Sequence, residues 1–394
     1  MQIPSKRIVE TPPSATVLLA DRVSAMQRQG IEIIDFSAGR AAEHTPSYIC
    51  HAAAGALMKG DTHQTMAQGK LEFRKACAEK LKRENGISAD PETSIIATMG
   101  IKQGMTITFL ATINQGDEVI VEDPCFVSYQ HIIRLCGGVP VAVPLYRKNR
   151  FRWTRADLEA AVTDHTRAIL FCSPHNPTGT VHTEDDLDII AEVAQKNDLI
   201  VISDEIYERV TWNGRRHISI ATRPGMQERT ITIMGLTKTF SMGGWRIGFI
   251  YAPEAVISAM VTVQQHLVTC AGSFVQTAAA KALSEEPPDE LKTLWRDWEK
   301  RSKFVASEIN RIPNISCDPP EGGFYAWIEV GSVFENSVDL AERLLKEYHI
   351  ALVPGSAFGP NGEGYLRMTC VKSWEDLHVG LSRLKQGLIK KNRK

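Results

Sequence analysis

The chain has 394 residues, with 45 Lys+Arg against 46 Asp+Glu and a formal net charge of −1. Apolar residues at 43% and charged residues at 23% are globular proportions and exclude an intrinsically disordered chain; the even charge lacks the basic footprint of a general nucleic-acid binder. The length suits a large α/β unit with a smaller partner and is ample for a sizeable core.

Met1 to Glu10 holds no apolar h-region, so no secretory signal is expected. No stretch reaches the ~18 consecutive apolar residues of a membrane span. The eight cysteines (Cys50, Cys77, Cys125, Cys136, Cys172, Cys270, Cys317 and Cys370) are scattered, with no C-x-x-C pair and no zinc-ligand spacing. They read as reduced, small buried hydrophobes in a cytoplasmic protein without a metal site. The basic run Lys390-Lys391-Asn392-Arg393-Lys394 reads as a solvated, frayed terminus.

In chain order, Met99-Gly100-Ile101-Lys102-Gln103-Gly104 leads into an apolar helix, Met105 to Ile113. Five apolar runs then follow. Glu118–Val121 ends in Glu122-Asp123-Pro124, Arg167–Cys172 in Ser173-Pro174, and Leu199–Ser203 in Asp204-Glu205. Thr230–Met234 and Ile247–Tyr251 are the fourth and fifth. Runs without polar alternation predict strands buried on both faces of a mostly parallel sheet. Between them, Leu187, Ile190, Ala191 and Ala194 give the Glu184–Asn197 segment a helical apolar stripe. The pattern predicts an α/β fold with a helix-covered sheet. Ser284-Glu285-Glu286-Pro287-Pro288-Asp289 reads as a boundary before a long charged helix, Glu290 to Arg311. Short strands near Gly323–Ile328 and Gly364–Met368 then predict a smaller α+β domain.

Ligands of such sheets sit beyond the carboxyl ends of the strands, so the residues there carry the chemistry. Lys238 follows a strand directly within Gly235-Leu236-Thr237-Lys238, and Arg246 lies eight positions later. A lysine at a buried strand end favours Schiff-base formation with an aldehyde, and an arginine beside it can clamp a phosphate. Asp204 can pair with a protonated heterocyclic nitrogen, and Tyr207, three residues on, can donate to the same ring. Asn176 sits in the tight turn Ser173-Pro174-His175-Asn176-Pro177-Thr178-Gly179. Gly100, Ile101 and Lys102 open a helix whose free N–H groups make an anion site. Phe126, just past a strand end, can stack on a planar ring. Five strand ends of one sheet thus converge on a site for a phosphate, a planar ring, a ring nitrogen and an aldehyde. Pyridoxal 5′-phosphate (PLP) combines these four features.

With those residues in place, the sequence resembles the class I/II aminotransferases, the aspartate-aminotransferase-like family of PLP-dependent enzymes of fold type I, from Pro13-Ser14-Ala15-Thr16 to the Arg367 segment. The resemblance implies a large domain over residues 46–284 and a small domain built from 1–45 and 285–394. It implies that Lys238 carries PLP as a Schiff base, that Arg246 and the amides of Ile101 and Lys102 hold its phosphate, and that Gly100 gives close approach. By the same resemblance Asp204 pairs with the ring nitrogen, Asn176 and Tyr207 contact the ring hydroxyl, and Phe126 stacks on the ring. Arg367, in Tyr365-Leu366-Arg367-Met368, takes the place of the arginine that grips the substrate α-carboxylate, with Asn176 and Gly39, in Ser37-Ala38-Gly39-Arg40, beside it. The segment Pro354–Gly359 also matches.

Two positions depart from the family pattern. Gly39-Arg40-Ala41 stands where the family usually has Gly, an acidic residue or Gln, then Pro. Arg40 adds a cation near the substrate and is a candidate for a distal carboxylate. Gln64 stands where the family has a tyrosine that reaches the phosphate across a homodimer interface.

The implied activity is transfer of an amino group from an L-amino acid to a 2-oxo acid through a Lys238 Schiff base and a quinonoid. Lys238, Asp204 and Tyr207 are its catalytic group. The alternative on the same scaffold is β/γ-elimination, replacement or cyclisation, motivated by Gln64 and Arg40. A regulatory protein of this family would need a basic DNA-binding segment, and the residues before Ser14 are too few for one.

Overall fold

A computed structural model describes residues 4–389; the basic run at 390–394 lies outside them. The central sheet has seven strands, β1 (Ile95–Thr98), β2 (Glu118–Asp123), β3 (Val139–Pro144), β4 (Thr166–Cys172), β5 (Ile200–Asp204), β6 (Thr230–Gly235) and β7 (Gly248–Tyr251). Their spatial order is β1-β7-β6-β5-β4-β2-β3. Strands β2 to β6 are parallel neighbours, whereas β7 is antiparallel to both β6 and β1. The five predicted runs are all strands of this sheet. Residues 168–172, 201–204 and 230–234 are buried throughout, which is why their sequences show no polar alternation.

The strands β1 and β3 have no counterpart in the sequence reading. β1 is only four residues long. β3 reads Val-Pro-Val-Ala-Val-Pro, and two prolines argue against a central strand. It lies at the sheet edge, where a missing N–H leaves no ladder bond unmade.

The helix Glu184–Lys196 buries Leu187, Ile190, Ala191 and Ala194, the four residues of the predicted stripe. A capping box starts it: Thr183 accepts from the Asp186 N–H, and Asp186 accepts from the Thr183 N–H. The helix expected from Met105 begins instead at Ile101 and runs to Thr112. Gly100, at φ +78°, is its N-cap, so the turn that looked like a lead-in is already helical.

A second, antiparallel sheet orders Val353–Pro354, Tyr365–Thr369, Tyr325–Glu329 and Ser316–Cys317. Beside it Ile34–Asp35 pairs in parallel with Ile350–Ala351. Phe36 then donates to Ala351 and accepts from the Thr369 N–H, both at 2.9 Å. The segment entering Ser37–Arg40 is therefore stitched to strands more than 300 residues later. The predicted charged helix spans Asp289–Ile309. Its Leu291 and Trp298 pack against the cores flanking the large sheet, and its Val305, Ala306 and Ile309 against the core of the small one.

All eight cysteines are free thiols. Five are buried, but Cys50 is exposed and Cys136 and Cys270 are half-buried. The expectation of eight buried hydrophobes fails most plainly at Cys50, which lies on the outward face of the Ser47–Met58 helix. Among the described residues no helix is long and apolar enough to cross a membrane.

Thr183→Ala removes the side-chain half of a capping box. It should cost about 1 kcal/mol, read as a lowered denaturant midpoint with an unchanged slope. An unchanged midpoint would mean that the box contributes nothing.

Candidate active site

The carboxyl ends of β1, β2, β4, β5 and β6 share one edge of the sheet, and so does the amino end of the reversed strand β7. Gly248 at the start of β7 pairs with both Thr98 and Gly235. The connection from β6 to β7 therefore leaves and re-enters the sheet at that edge, which brings both Lys238 and Arg246 to it. Were β7 parallel, Arg246 would lie at the other end of the sheet.

Arg246 donates to the carbonyls of Gly243 (3.1 Å) and Met99 (3.4 Å). A Cβ added to Gly100 would lie 2.5 Å from its Nη2. Together with φ +78°, this makes position 100 one that only glycine fills without displacing the guanidinium. The Ile101–Thr112 helix starts at that point, with its first N–H groups unpaired within the helix. Lys102 stands beside it, its Nζ 5.4 Å from the centre of the Phe126 ring. Burial, then the charges of Arg246 and Lys238, lower the Lys102 proton affinity. Three cations that press on one another around a helix N-terminus form a site for a multiply charged anion.

Asp204 ends β5 and is buried. Burial pushes its carboxyl up to about 6, against the stabilising hydrogen bonds of Tyr129 and the Ile206 N–H. The Tyr129 hydroxyl donates to Oδ2 at 2.6 Å, and the Tyr129 and Phe126 rings meet edge to face at 5.4 Å. A buried carboxylate with no cation bonded to it suits a protonated heterocyclic nitrogen.

Lys238 Nζ donates to the Gly39 carbonyl at 2.5 Å. The Tyr207 and Tyr325 hydroxyls are 3.0 Å apart. A Cβ at Gly39 would stand 2.6 Å from Tyr325 Oη and 3.5 Å from Lys238 Nζ, so glycine there permits the amine and the phenol to converge. Arg367 is 2% exposed. Its Nη2 donates to the Ser37 carbonyl at 2.8 Å and its Nη1 to Asn176 Oδ1 at 3.1 Å. Its guanidinium lies 4.2 Å from the Tyr325 ring centre and 4.9 Å from that of Phe358. Among the described residues no carboxylate pairs with it, and its buried Nε has no hydrogen-bond partner.

The fold brings Gly39, Lys238, Asn176, Tyr207 and Arg367 into one contact network, and Gly100, Lys102, Phe126 and Arg246 into another. Arg40 and Gln64 are exposed, and among the described residues neither side chain has a hydrogen bond or ion pair. Tyr129 and Tyr325 are absent from the sequence reading. Tyr129 carried one faint signal, its place three residues after Phe126. Tyr325 carried none, because the register that sets it opposite Thr369 and near Arg367 is a product of the sheet. Behind Asp204 the side chains of Glu205, Glu208 and His217 could gather around a cation. They are already engaged, Glu205 by Ser203, Ser219 and His217, and Glu208 by Lys80 and Asn85.

Comparison with known proteins gives the family of the whole chain. The family model for "Aminotransferase class I and II" matches residues 31–384. The chain belongs to the class I/II aminotransferases. It is 41% identical over 92% of its length, and 94% of the relative's, to aromatic-amino-acid aminotransferase 2 of Thermococcus litoralis. It is 39% identical to the aspartate aminotransferase of Pyrococcus abyssi, covering 98% of both chains. The solved aspartate aminotransferase of Thermus thermophilus with maleate superposes with a TM-score of 0.92 at 33% identity, covering 98% of this chain and 100% of that one.

The protein is thus a PLP-dependent aminotransferase of fold type I. The Gly100 cradle, the three cations around it and the buried Asp204 carboxyl fit a group with a phosphate at one end and a basic ring nitrogen at the other.

Without cofactor, the raised Asp204 carboxyl binds a proton more tightly in the folded than in the unfolded chain. Its contribution to stability is complete below about pH 4 and lost as pH rises through about 6, a loss of roughly 3 kcal/mol at most. Cofactor-free Asp204→Asn should lack that slope and gain on the wild-type protein above pH 6. Melting temperatures of both proteins from pH 4 to 7 check this, and parallel curves would refute it.

Proposed function

We propose that transamination is carried out by Lys238, Asp204 and Tyr207, with Arg367, Asn176 and Gly39 receiving the substrate. One observation carries this reading. Lys238 and Arg367 are held on two carbonyls of one short loop, Gly39 and Ser37. An amine that moves a proton and a guanidinium that grips a carboxylate thus flank a space suited to the Cα of an amino acid.

Arg246, Lys102 and the amides at Gly100 to Lys102 would hold the phosphate, Phe126 the ring face, and Asp204 the ring nitrogen. When bound, PLP supplies an aldehyde for the amino group and a ring that accepts the electron pair left at Cα. Arg367 pairs with the α-carboxylate and fixes the Cα–H bond relative to Lys238. The Asn176 amide, already bonded to Arg367, keeps the guanidinium plane in place. Lys238 Nζ removes the Cα proton and later returns one, as a general base and then a general acid. Asp204 holds its proton partner in a buried site, so the charge it stabilises is screened little by water. Tyr207 Oη donates a hydrogen bond to the ring oxygen.

The names of the relatives, aromatic and aspartate aminotransferases, support an aromatic or acidic L-amino acid as donor. Arg40, an unpaired cation one residue from Gly39, is the candidate for a distal carboxylate. The reading also includes a homodimer, a cytoplasmic location and domains over 46–284 and over 1–45 with 285–394. Met58 (89% exposed), Met66 (66%) and Leu267 (50%) support the dimer. The loop around Met66 is tied to the helix that ends at Leu267, through Ala67 and Gln264, so Met66 and Leu267 lie on neighbouring elements. Gln64 lies in the same loop. The net charge of −1 favours small-molecule partners over nucleic acid, and no membrane association is part of the reading.

Spectra of the loaded enzyme during titration with a panel of L-amino acids, without keto acid, test this. The expected result is conversion to the pyridoxamine spectrum with stoichiometric keto acid. Amino acid consumed with no such conversion would favour elimination or cyclisation. Lys238→Ala should abolish the visible cofactor band and turnover together. Arg367→Ala should raise KM by about 100-fold, as expected for a lost buried charge pair. Full turnover in purified Lys238→Ala would defeat the assignment. Sedimentation should give twice the 43.7 kDa chain mass; a monomer at assay concentration would defeat the dimer.

A further inference from the structure

Tyr325 opens the Tyr325–Glu329 strand and is 1% exposed. Its ring meets the Tyr207 ring edge to face, with centres 6.0 Å apart. Each of the two phenols has the other as its hydrogen-bond partner at 3.0 Å. On its ring face lies the Arg367 guanidinium, 4.2 Å from the ring centre. We propose that Tyr325 is a positioning residue for transamination: its hydroxyl sets the direction of the Tyr207 hydroxyl, and its ring is the seat of Arg367. The proposal rests on the reading above that Tyr207 faces the cofactor ring and Arg367 the substrate carboxylate.

A phenol carries one hydrogen to donate. In a pair of phenols only one hydrogen lies between the two oxygens, and the acceptor's own hydrogen is free to point elsewhere. The environment decides which phenol donates. The Arg367 guanidinium lies on the Tyr325 ring face, 4.2 Å from its centre, and its positive charge favours loss of the Tyr325 phenol proton. Burial pushes Tyr207 well above the usual range, and the partner phenol adds to this. Cys172 is the remaining titratable group facing both, and burial keeps its thiol protonated. The more acidic phenol is the stronger donor. With the Arg367 charge on its ring face, Tyr325 is the donor of the proposed relay, and the Tyr207 hydrogen is left to point at the cofactor's ring oxygen. Hydrogen bonds in series strengthen one another, so the Tyr325 hydroxyl acts through Tyr207.

The ring has a separate task. A buried guanidinium without a carboxylate needs other favourable contacts. The faces of Tyr325 and Phe358 supply cation–π attraction. The Tyr325 ring takes up none of the remaining Arg367 N–H donors, Nε among them, which stay available to a substrate carboxylate.

Two measurements separate the tasks. The first is the pH titration of the visible absorption of the loaded enzyme without substrate. A donor on the ring oxygen competes with the neighbouring imine nitrogen for negative charge, and so lowers the titration midpoint. Tyr325→Phe should raise the midpoint by about 0.5 units. Tyr207→Phe should raise it further, and the double variant should match Tyr207→Phe alone. An unshifted Tyr325→Phe beside a shifted Tyr207→Phe would overturn the relay, and so would additive shifts. An unshifted Tyr207→Phe would instead overturn the underlying placement of Tyr207. The second measurement is the split between KM and kcat. Tyr325→Phe keeps the ring and should hold KM for the amino acid within about twofold, whereas Tyr325→Leu should raise it about tenfold. Equal KM values in the two variants would overturn the seat; Tyr325→Met replaces Tyr325→Leu if the latter does not fold.

Discussion

A buried guanidinium with no carboxylate beside it is the constraint around which this site is built. Removing a charge from water costs several kcal/mol even after relaxation. Arg367 meets that cost with the Ser37 carbonyl, the Asn176 amide oxygen and two aromatic faces. These partners come from four separated parts of the chain: the segment after Ile34–Asp35, the turn after β4, the Tyr325 strand and the Gly355–Phe358 turn. None of them neutralises the charge. A carboxylate arriving from solution therefore finds a cation whose geometry is fixed and whose charge is uncompensated, and the ordering cost is already met by the fold.

The second requirement is that a proton-carrying amine lie close to that cation without being expelled by it. The loop Ser37–Gly39 separates them, offering one carbonyl to each. The entry to the loop is fixed because Phe36 is bonded on one side to Ala351 and on the other to Thr369. The loop approaches closely because Gly39 has no side chain to strike Tyr325 or Lys238. The Lys238 side of the arrangement depends on the reversed strand β7, which returns the chain to the edge it left. Sheet direction, a glycine and a two-residue parallel pair thus act on one separation.

Much of this was legible in the sequence, and the boundary of legibility is physical. Strands buried on both faces show as apolar runs, so the core of the sheet could be read. Residues directly after those runs lie at the carboxyl edge by topology alone, which makes Lys238, Asp204, Asn176 and Phe126 legible as a group. The edge strand β3 was hidden because its prolines are permitted only by its position, and position is not in the local sequence. Tyr129 and Tyr325 were hidden for a related reason. Each matters through a partner, Asp204 or Tyr207, that the chain supplies 75 or 118 residues away. Arg40 and Gln64, conspicuous as departures, are exposed, and the fold among the described residues gives them no bonded partner from which a role could be read.

The distribution of charge accounts for how a ligand must lie. Over the whole chain the charges nearly cancel, yet the site carries Lys102, Lys238, Arg246 and Arg367 against one carboxyl, Asp204. Positive charge held in a cleft with low-dielectric walls draws in anions, but attraction alone would leave their orientation open. Orientation comes from separation of the anchors. Arg246 and Lys102 gather at the start of the Ile101–Thr112 helix, the Asp204 carboxyl stands at the end of β5, and the Arg367 guanidinium belongs to the second sheet. A group with an anion at one end and a basic nitrogen elsewhere on its ring satisfies the first two anchors in one pose. On the proposed reading the third is left for the substrate's carboxylate, one loop away from Lys238. Reversing the cofactor would set a phosphate against Asp204 and leave the helix N-terminus unpaired, so both repulsion and lost attraction oppose it.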